Sequence, residues 1–202
     1  MTIRQKTLAI LAAALLGLTA AFFAFHREFS FRDADQTDRS VATQELLRVH
    51  LALQQEQRDL LRAARDWANW DETYRFMEDG NIEFIEDNLT TRDIAELLEA
   101  NDLVLVAPSG HLYFSRSTHP HDRTPAPLPP EVPGLFGPQG PFFPPNVPLG
   151  GRAGFLWIGH RAALVAAVPV QDSRSSGARR GILFLSRHLD EPHLRFLRTN
   201  TQ

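Results

Sequence analysis

The chain opens with an uninterrupted apolar run. Residues 7–25 read Thr-Leu-Ala-Ile-Leu-Ala-Ala-Ala-Leu-Leu-Gly-Leu-Thr-Ala-Ala-Phe-Phe-Ala-Phe without a charge, close to the roughly 20 residues a helix needs to cross a bilayer. From residue 41 the pattern changes to sevens. Leu46, Leu53, Leu60, Trp67 and Tyr74 form one series, and Val49, Ala63, Trp70 and Met77 form an offset one, with Glu56 the exception. That spacing is a heptad seam on one helical face. No Gly or Pro interrupts residues 41–77, so a single helix of about 37 residues, on the order of 55 Å long, is predicted.

Gly80 and Asn81 end that helix, and Thr90 or Thr91 caps a short second one with Ile94, Leu97 and Leu98 on its apolar face. Alternation then takes over. Residues 103–107 and 111–115 flank Pro108-Ser109-Gly110 as a hairpin, and residues 153–158, 162–168 and 181–187 are three further strand-sized runs. Between the two groups, eleven prolines within residues 120–151 bar regular sheet or helix. The same segment carries Leu135, Phe136, Phe142, Phe143 and Val147, more apolar bulk than a disordered linker has, so docking onto the domain is predicted. Asp190 and Pro192 start a final helix bearing Leu194, Phe196 and Leu197. The fold class is α+β: an N-terminal membrane helix, a long amphipathic helix, and an antiparallel sheet of about five strands.

Charge sets the orientation. Arg4 and Lys6 precede the apolar run, which puts the N-terminus in the cytoplasm and the rest outside. A cleaved signal peptide usually has a shorter apolar region and a small-residue exit, whereas this run leaves through Phe22, Phe23 and Phe25. Residues 153–170 are apolar but broken by His160, Arg161 and Pro169, so one crossing is predicted, in a cell inner membrane with the C-terminal domain periplasmic. The organisation is therefore a cytoplasmic tip and anchor at 1–26, a juxtamembrane linker at 27–40, the domain at 41–197 and a tail at 198–202.

Composition narrows the chemistry. A net charge of -3 and no basic stripe interleaved with aromatics give a nucleic-acid partner no footing. There is no cysteine, hence no disulfide or thiolate metal site. No Gly-x-Ser-x-Gly elbow exists and Ser175-Ser176-Gly177 lacks an evident base, so no catalytic residues and no cofactor are predicted. His119-x-His121-Asp122 falls short of the three or four ligands that a metal site needs and is read as a solvated loop.

Residues 66–76, Asp-Trp-Ala-Asn-Trp-Asp-Glu-Thr-Tyr-Arg-Phe, hold two of the three tryptophans and one of the two tyrosines. On one helix, Trp67, Trp70, Asp71 and Tyr74 share a face. They form either a ligand site, with aromatic faces for stacking and a carboxylate for an amine or other donor, or a lock between helix and sheet, with Asp71 bonded to a backbone amide or to an arginine such as Arg116. The candidate ligand residues are Trp67, Trp70, Asp71, Tyr74 and Arg116. Leu46, Val49, Leu53 and Leu60 are the candidate seam of a parallel homodimer.

This motif, followed by Phe84 and Asn88-Leu89, resembles the signature of the CHASE domain, subtype four. Asp102-Leu103-Val104-Leu105 before Gly110, Val168-Pro169-Val170, and Gly181-Ile182-Leu183 leading to Arg187-His188-Leu189 are similar to the family's later blocks. The resemblance spans residues 41–197. It implies an extracytoplasmic sensory domain, PAS-like in fold, set between two membrane helices and upstream of a histidine kinase or a cyclic-dinucleotide enzyme. Here the sequence stops at Gln202, where a second membrane helix is expected, so a domain without its output module is expected, either as a truncated or split receptor or as a domain retained for another binding task. The function predicted is a membrane-anchored sensory or ligand-binding domain of a bacterial receptor, taking an unknown small ligand or periplasmic partner. The alternative is a membrane-tethered structural or protein-interaction domain with no small-molecule ligand.

Overall fold

A computed structural model describes residues 3–174 and 177–190. The elements in chain order are α1 (Ile3–Ala68), α2 (Asp71–Asp79), α3 (Ile82–Asn88), a π-helical turn (Asp93–Leu97), β1 (Asp102–Val106), β2 (Leu112–Thr118), β3 (Pro125–Ala126), two 3-10 turns (Val132–Phe136 and Pro144–Asn146), β4 (Arg152–Ile158), β5 (Arg161–Pro169) and β6 (Ile182–His188). The chain divides into two compact units, Met1–His50 and Leu51–Gln202.

The first unit contains Ile3–Ala24, 22 residues long and apolar enough to cross a membrane by length and composition. Its Leu11, Leu15, Leu16, Leu18, Phe22 and Phe23 are exposed. The backbone of residues 27–40, predicted as a linker, is helical and belongs to α1.

In the second unit the predicted helix over 41–77 is two helices. α1 ends at Ala68, Trp70 takes an extended backbone (φ -79°, ψ 130°), and α2 restarts at Asp71 with Asp71 and Glu72 in its first turn, where carboxylates complement the helix dipole. The heptad pattern conceals this break because Leu60, Ala64 and Ala68 before it and Phe76 and Met77 after it all bury into one core. α3 lies within the stretch read as a connection. Asn81 caps it by accepting the Glu83 N–H at 3.0 Å. Thr90 and Asp93 then form a reciprocal cap, Asp93 N–H to Thr90 Oγ1 at 3.2 Å and Thr90 N–H to Asp93 Oδ2 at 3.1 Å.

The strands form one antiparallel sheet in the order β3-β2-β1-β6-β5-β4. The sixth strand is Pro125–Ala126, inside the segment where no sheet was predicted; its edge position is where proline is tolerated. Alternation deals the sheet's side chains to two cores. Leu103, Leu105, Leu164, Ala166, Val168, Leu183 and Leu185 pack with the helices. Val104, Val106, Ala163, Val165, Ala167, Ile182 and Phe184 pack with Val132, Phe136, Phe142 and Val147 of the proline-rich segment. That segment is docked, and Phe184 meets Phe136 and Phe142 at ring distances of 5.2 and 5.5 Å. With both faces covered, the central strands read as nearly continuous apolar runs. Gly181 starts β6 at φ +123°, where a Cβ would lie 1.9 Å from the Val106 carbonyl oxygen, so no side chain fits there. The helix expected after Asp190 lies outside the described residues.

Candidate functional site

The break at Trp70 arranges the aromatic motif. Trp67 meets Trp70 edge-on at 5.9 Å, Trp70 meets Phe84 at 5.7 Å, and Phe84 stacks on Phe76 at 5.0 Å. Phe76 in turn meets Tyr113 of β2 at 5.4 Å, and the Tyr113 hydroxyl donates to the Phe76 carbonyl at 3.0 Å. Each such ring pair adds about 0.5–1.5 kcal/mol beyond the area it buries. The aromatics thus tie the end of α1, α2 and α3 to the sheet.

Asp71 and Tyr74 hold the loop between β5 and β6. The Ser173 N–H donates to Asp71 Oδ1 at 2.8 Å and its hydroxyl to Oδ2 at 3.0 Å. These two bonds keep the Asp71 carboxyl below its ordinary value. The Tyr74 hydroxyl donates to the Ala178 carbonyl at 3.1 Å, and the Arg180 guanidinium lies over the Tyr74 ring at 3.7 Å. Arg180 also donates to the Tyr74 carbonyl at 2.9 Å and pairs with Glu78 at 2.7 Å. A Cβ on Gly177 would come within 2.4 Å of the Tyr74 hydroxyl oxygen, which explains a glycine at that position. Of the two predicted arginine or amide partners for Asp71, the backbone amide is the one present. Arg116 donates instead to the Leu89 carbonyl and lies 5.6 Å from the Phe114 ring, so its predicted pairing with Asp71 is corrected. On the open side of Trp67 and Trp70 lies a shallow hollow of about 310 Å³ rimmed by Asp66, Asp87, Asn88, Asp93 and Leu97.

The predicted seam divides along α1. Leu46 and Val49 are exposed, Leu53 is half-buried, and Leu60 is fully buried in the core of its own domain. Leu60 is therefore withdrawn from the seam: helix and sheet already cover it. Glu56, the residue that interrupts the heptad, has a different task. Its carboxylate pairs with Arg187 Nη1 of β6 at 2.5 Å, the two side chains being 18% and 10% exposed. Arg187 Nε donates to the Glu99 carbonyl at 2.6 Å and Nη2 to the Leu98 carbonyl at 3.3 Å. One arginine fork thus joins α1, the π-helical turn's exit and the central strand β6.

Sequence reasoning missed a polar row on the other face of the sheet. Asp102 of β1 stands in register between Ser117 of β2 and Ser186 of β6, and all three are buried. Ser186 donates its hydroxyl to Asp102 Oδ2, and His188 Nε2 lies 3.8 Å from the same oxygen. Burial holds the His188 imidazole below its ordinary pKa; Arg161 acts in the same direction, while Asp102 and Asp190 oppose it. The row opens into a pocket of about 290 Å³ with Pro127, Pro129, Ile158, His160 and Arg161 among its walls. The available signal was polar residues closing otherwise apolar runs, Asp102 ahead of residues 103–106 and Ser186 to His188 after residues 182–185. Nearby, His121 faces Asp190 at 3.5 Å and Asp122 accepts from Thr124. Among the described residues no group of three or more His, Cys, Asp or Glu is placed to hold a metal.

A helix bolted by an ion pair to an antiparallel sheet, with a held loop on one face and a polar pocket on the other, makes an α+β domain. Comparison with known proteins supplies the family. The CHASE4 domain model matches residues 52–202, and the chain belongs to that family. It is also 25% identical over 190 residues to the methanogenesis regulatory histidine kinase FilI of Methanothrix harundinacea (strain 6Ac). That match covers 94% of this chain and 21% of FilI, so the chain spans about a fifth of that relative's length. Residues 52–202 are thus a CHASE4 sensory domain.

Proposed function

We propose that this chain is the membrane-anchored, extracytoplasmic input domain of a signal-transduction receptor, held in the cytoplasmic membrane by residues 3–24 with the N-terminus inside. Family membership supports the sensory role. The apolar stretch within α1 and the Arg4 and Lys6 before it support the anchor and its orientation. FilI, by its name a histidine kinase, suggests that the output is phosphotransfer, supplied by a kinase module in a longer chain or by a partner. The exposed Leu46 and Val49 support pairing of two α1 helices.

The single observation that carries the reading is the Glu56–Arg187 pair. A signal that moves β6 moves Arg187, and Arg187 holds the same helix that contains the apolar stretch. Two positions of that helix constitute the switch, and a stimulus acts by favouring one of them. The experiment is a topology assay. Alkaline phosphatase fused after Gln202 is expected to be active in intact cells, and spheroplast proteolysis is expected to remove the domain. A fusion that is inactive and protease-protected contradicts the proposal.

A further inference from the structure

The polar row behind the proline-rich cover is an unsatisfied site. Asp102 is 1% exposed, and its known partners are the Ser186 hydroxyl and, at 3.8 Å, the His188 imidazole. Ser117 Oγ and His188 Nδ1 are buried and have no hydrogen-bond partner among the described residues. Native interiors leave few such atoms, because losing water without gaining a partner is unfavourable. Both residues line the same pocket of about 290 Å³, and the two atoms lie beneath its surface.

Their chemistry is one-sided. Nε2 is the ring nitrogen that faces the carboxylate, at 3.8 Å, and the tautomer protonated there leaves His188 Nδ1 an acceptor. Ser117 Oγ accepts as readily as it donates. Asp102 adds a buried carboxyl whose partners are a hydroxyl and an imidazole, a setting that a cationic donor complements. The floor therefore offers acceptors, and the walls offer Pro127, Pro129 and Ile158 beside His119, His160 and Arg161. An ammonium group presents three N–H donors and a positive charge. We propose that this pocket binds a small primary amine, its ammonium on Asp102, Ser117 and His188 and its carbon body against the prolines and Ile158. A carboxylate head would meet Asp102 as a like charge. Asp102, His119, His160 and His188 line the pocket, but among the described residues no three His, Cys, Asp or Glu are placed to hold a metal together. Arg161 at the wall disfavours a second cationic end, so a monoamine is preferred to a diamine.

The proposal deepens the sensory reading and rests on it. Their failures are separable, because a reversed topology leaves amine binding by the purified protein measurable. The experiment is calorimetric titration of the full chain in detergent micelles with propylamine. Tetramethylammonium, 1,3-diaminopropane and propionate serve as controls. Saturable binding of propylamine is expected in the millimolar range, as a few heavy atoms allow, with at least tenfold weaker binding by tetramethylammonium, which has no N–H. Asp102→Asn is expected to weaken propylamine at least tenfold. Ser117→Ala removes only an unpartnered hydroxyl and is expected to weaken it several-fold with the melting temperature kept; it decides the matter alone if Asp102→Asn does not fold. No saturable propylamine binding, equal binding of tetramethylammonium, propionate or the diamine, or affinity unchanged by Ser117→Ala would each overturn the proposal.

Discussion

The two faces of the sheet are built from alternate residues of the same strands, yet their covers differ in kind. On one face, capped helices lie over Leu103, Leu105, Leu164 and Leu183, and polar groups at their edges are paired: Asp71 with Ser173, Glu56 with Arg187, Tyr113 with the Phe76 carbonyl. On the other, a proline-rich strap lies over Val104, Val165 and Phe184, dense at the Phe136 and Phe142 end and polar at the Asp102 end. Among the described residues the helix cover leaves one buried side-chain atom without a partner, Thr73 Oγ1, whereas on the strap face Ser117 Oγ and His188 Nδ1 both lack one and both residues line one pocket. A face whose polar groups are mostly paired provides stability and transmission. A face that leaves them unpaired has interactions still to make, and a ligand can make them.

The largest expected effect comes from the strap. Phe184→Ala removes the ring that Phe136 and Phe142 pack against and is expected to cost about 3–5 kcal/mol in urea unfolding. A loss near that of a surface substitution would mean that the strap is not docked. Next is the link on the helix side. Arg187→Met takes the guanidinium away from the half-buried Glu56 carboxylate and from the Leu98 and Glu99 carbonyls, at an expected loss of about 3 kcal/mol. The double variant Glu56→Met with Arg187→Met is expected to recover most of that stability, but to uncouple α1 from β6. A double variant that signals normally would remove Arg187 from the transmission path.

A smaller effect separates the faces by pH. Because the folded-state pKa of His188 is depressed, the unfolded chain takes up the proton first as pH falls. Stability from this residue is thus complete above the ordinary imidazole value of about 6.5 and declines below it, by at most ~1.4 kcal/mol per pH unit until the folded value is passed. Unfolding of the wild type and of His188→Gln from pH 5 to 8 is expected to show the slope in the first and its loss in the second. The smallest effect is at Asp71, whose depressed carboxyl contributes stability above its unfolded value of 3.8 that is lost as pH falls through the folded value. Asp71→Asn and Trp70→Ala are each expected to lower the melting temperature while leaving propylamine affinity unchanged. Altered affinity in either would shift the ligand to the hollow beside Trp67.

Much of this architecture was legible in the sequence. Alternation located β1 and β2, strand-sized apolar runs located β4, β5 and β6, and Phe136, Phe142 and Val147 betrayed the docking of the strap. Periodicity could not register the break at Trp70, since helices on either side bury into one core. Proline content hid β3, because two residues at a sheet edge use what prolines retain. The aromatic motif was legible as a family signature and less so as a site: Asp71 and Tyr74 grip a loop some hundred residues away, a pairing that no local spacing encodes. Glu56 was visible as an exception to the heptad, but its reason lies on β6. The row of Asp102, Ser117, Ser186 and His188 comes from three strands, and only their register brings it together.

Hydrogen–deuterium exchange of the full chain with and without propylamine tests the division between the faces most directly. Slower exchange is expected at the ends of β1, β2 and β6 around Asp102, Ser117 and His188, in the strap at residues 126–130, and in α1 near Glu56, with the segment around Trp67 and Trp70 unchanged. Protection confined to Trp67, Trp70 and the neighbouring α3, with β6 and the strap unaltered, would contradict the account.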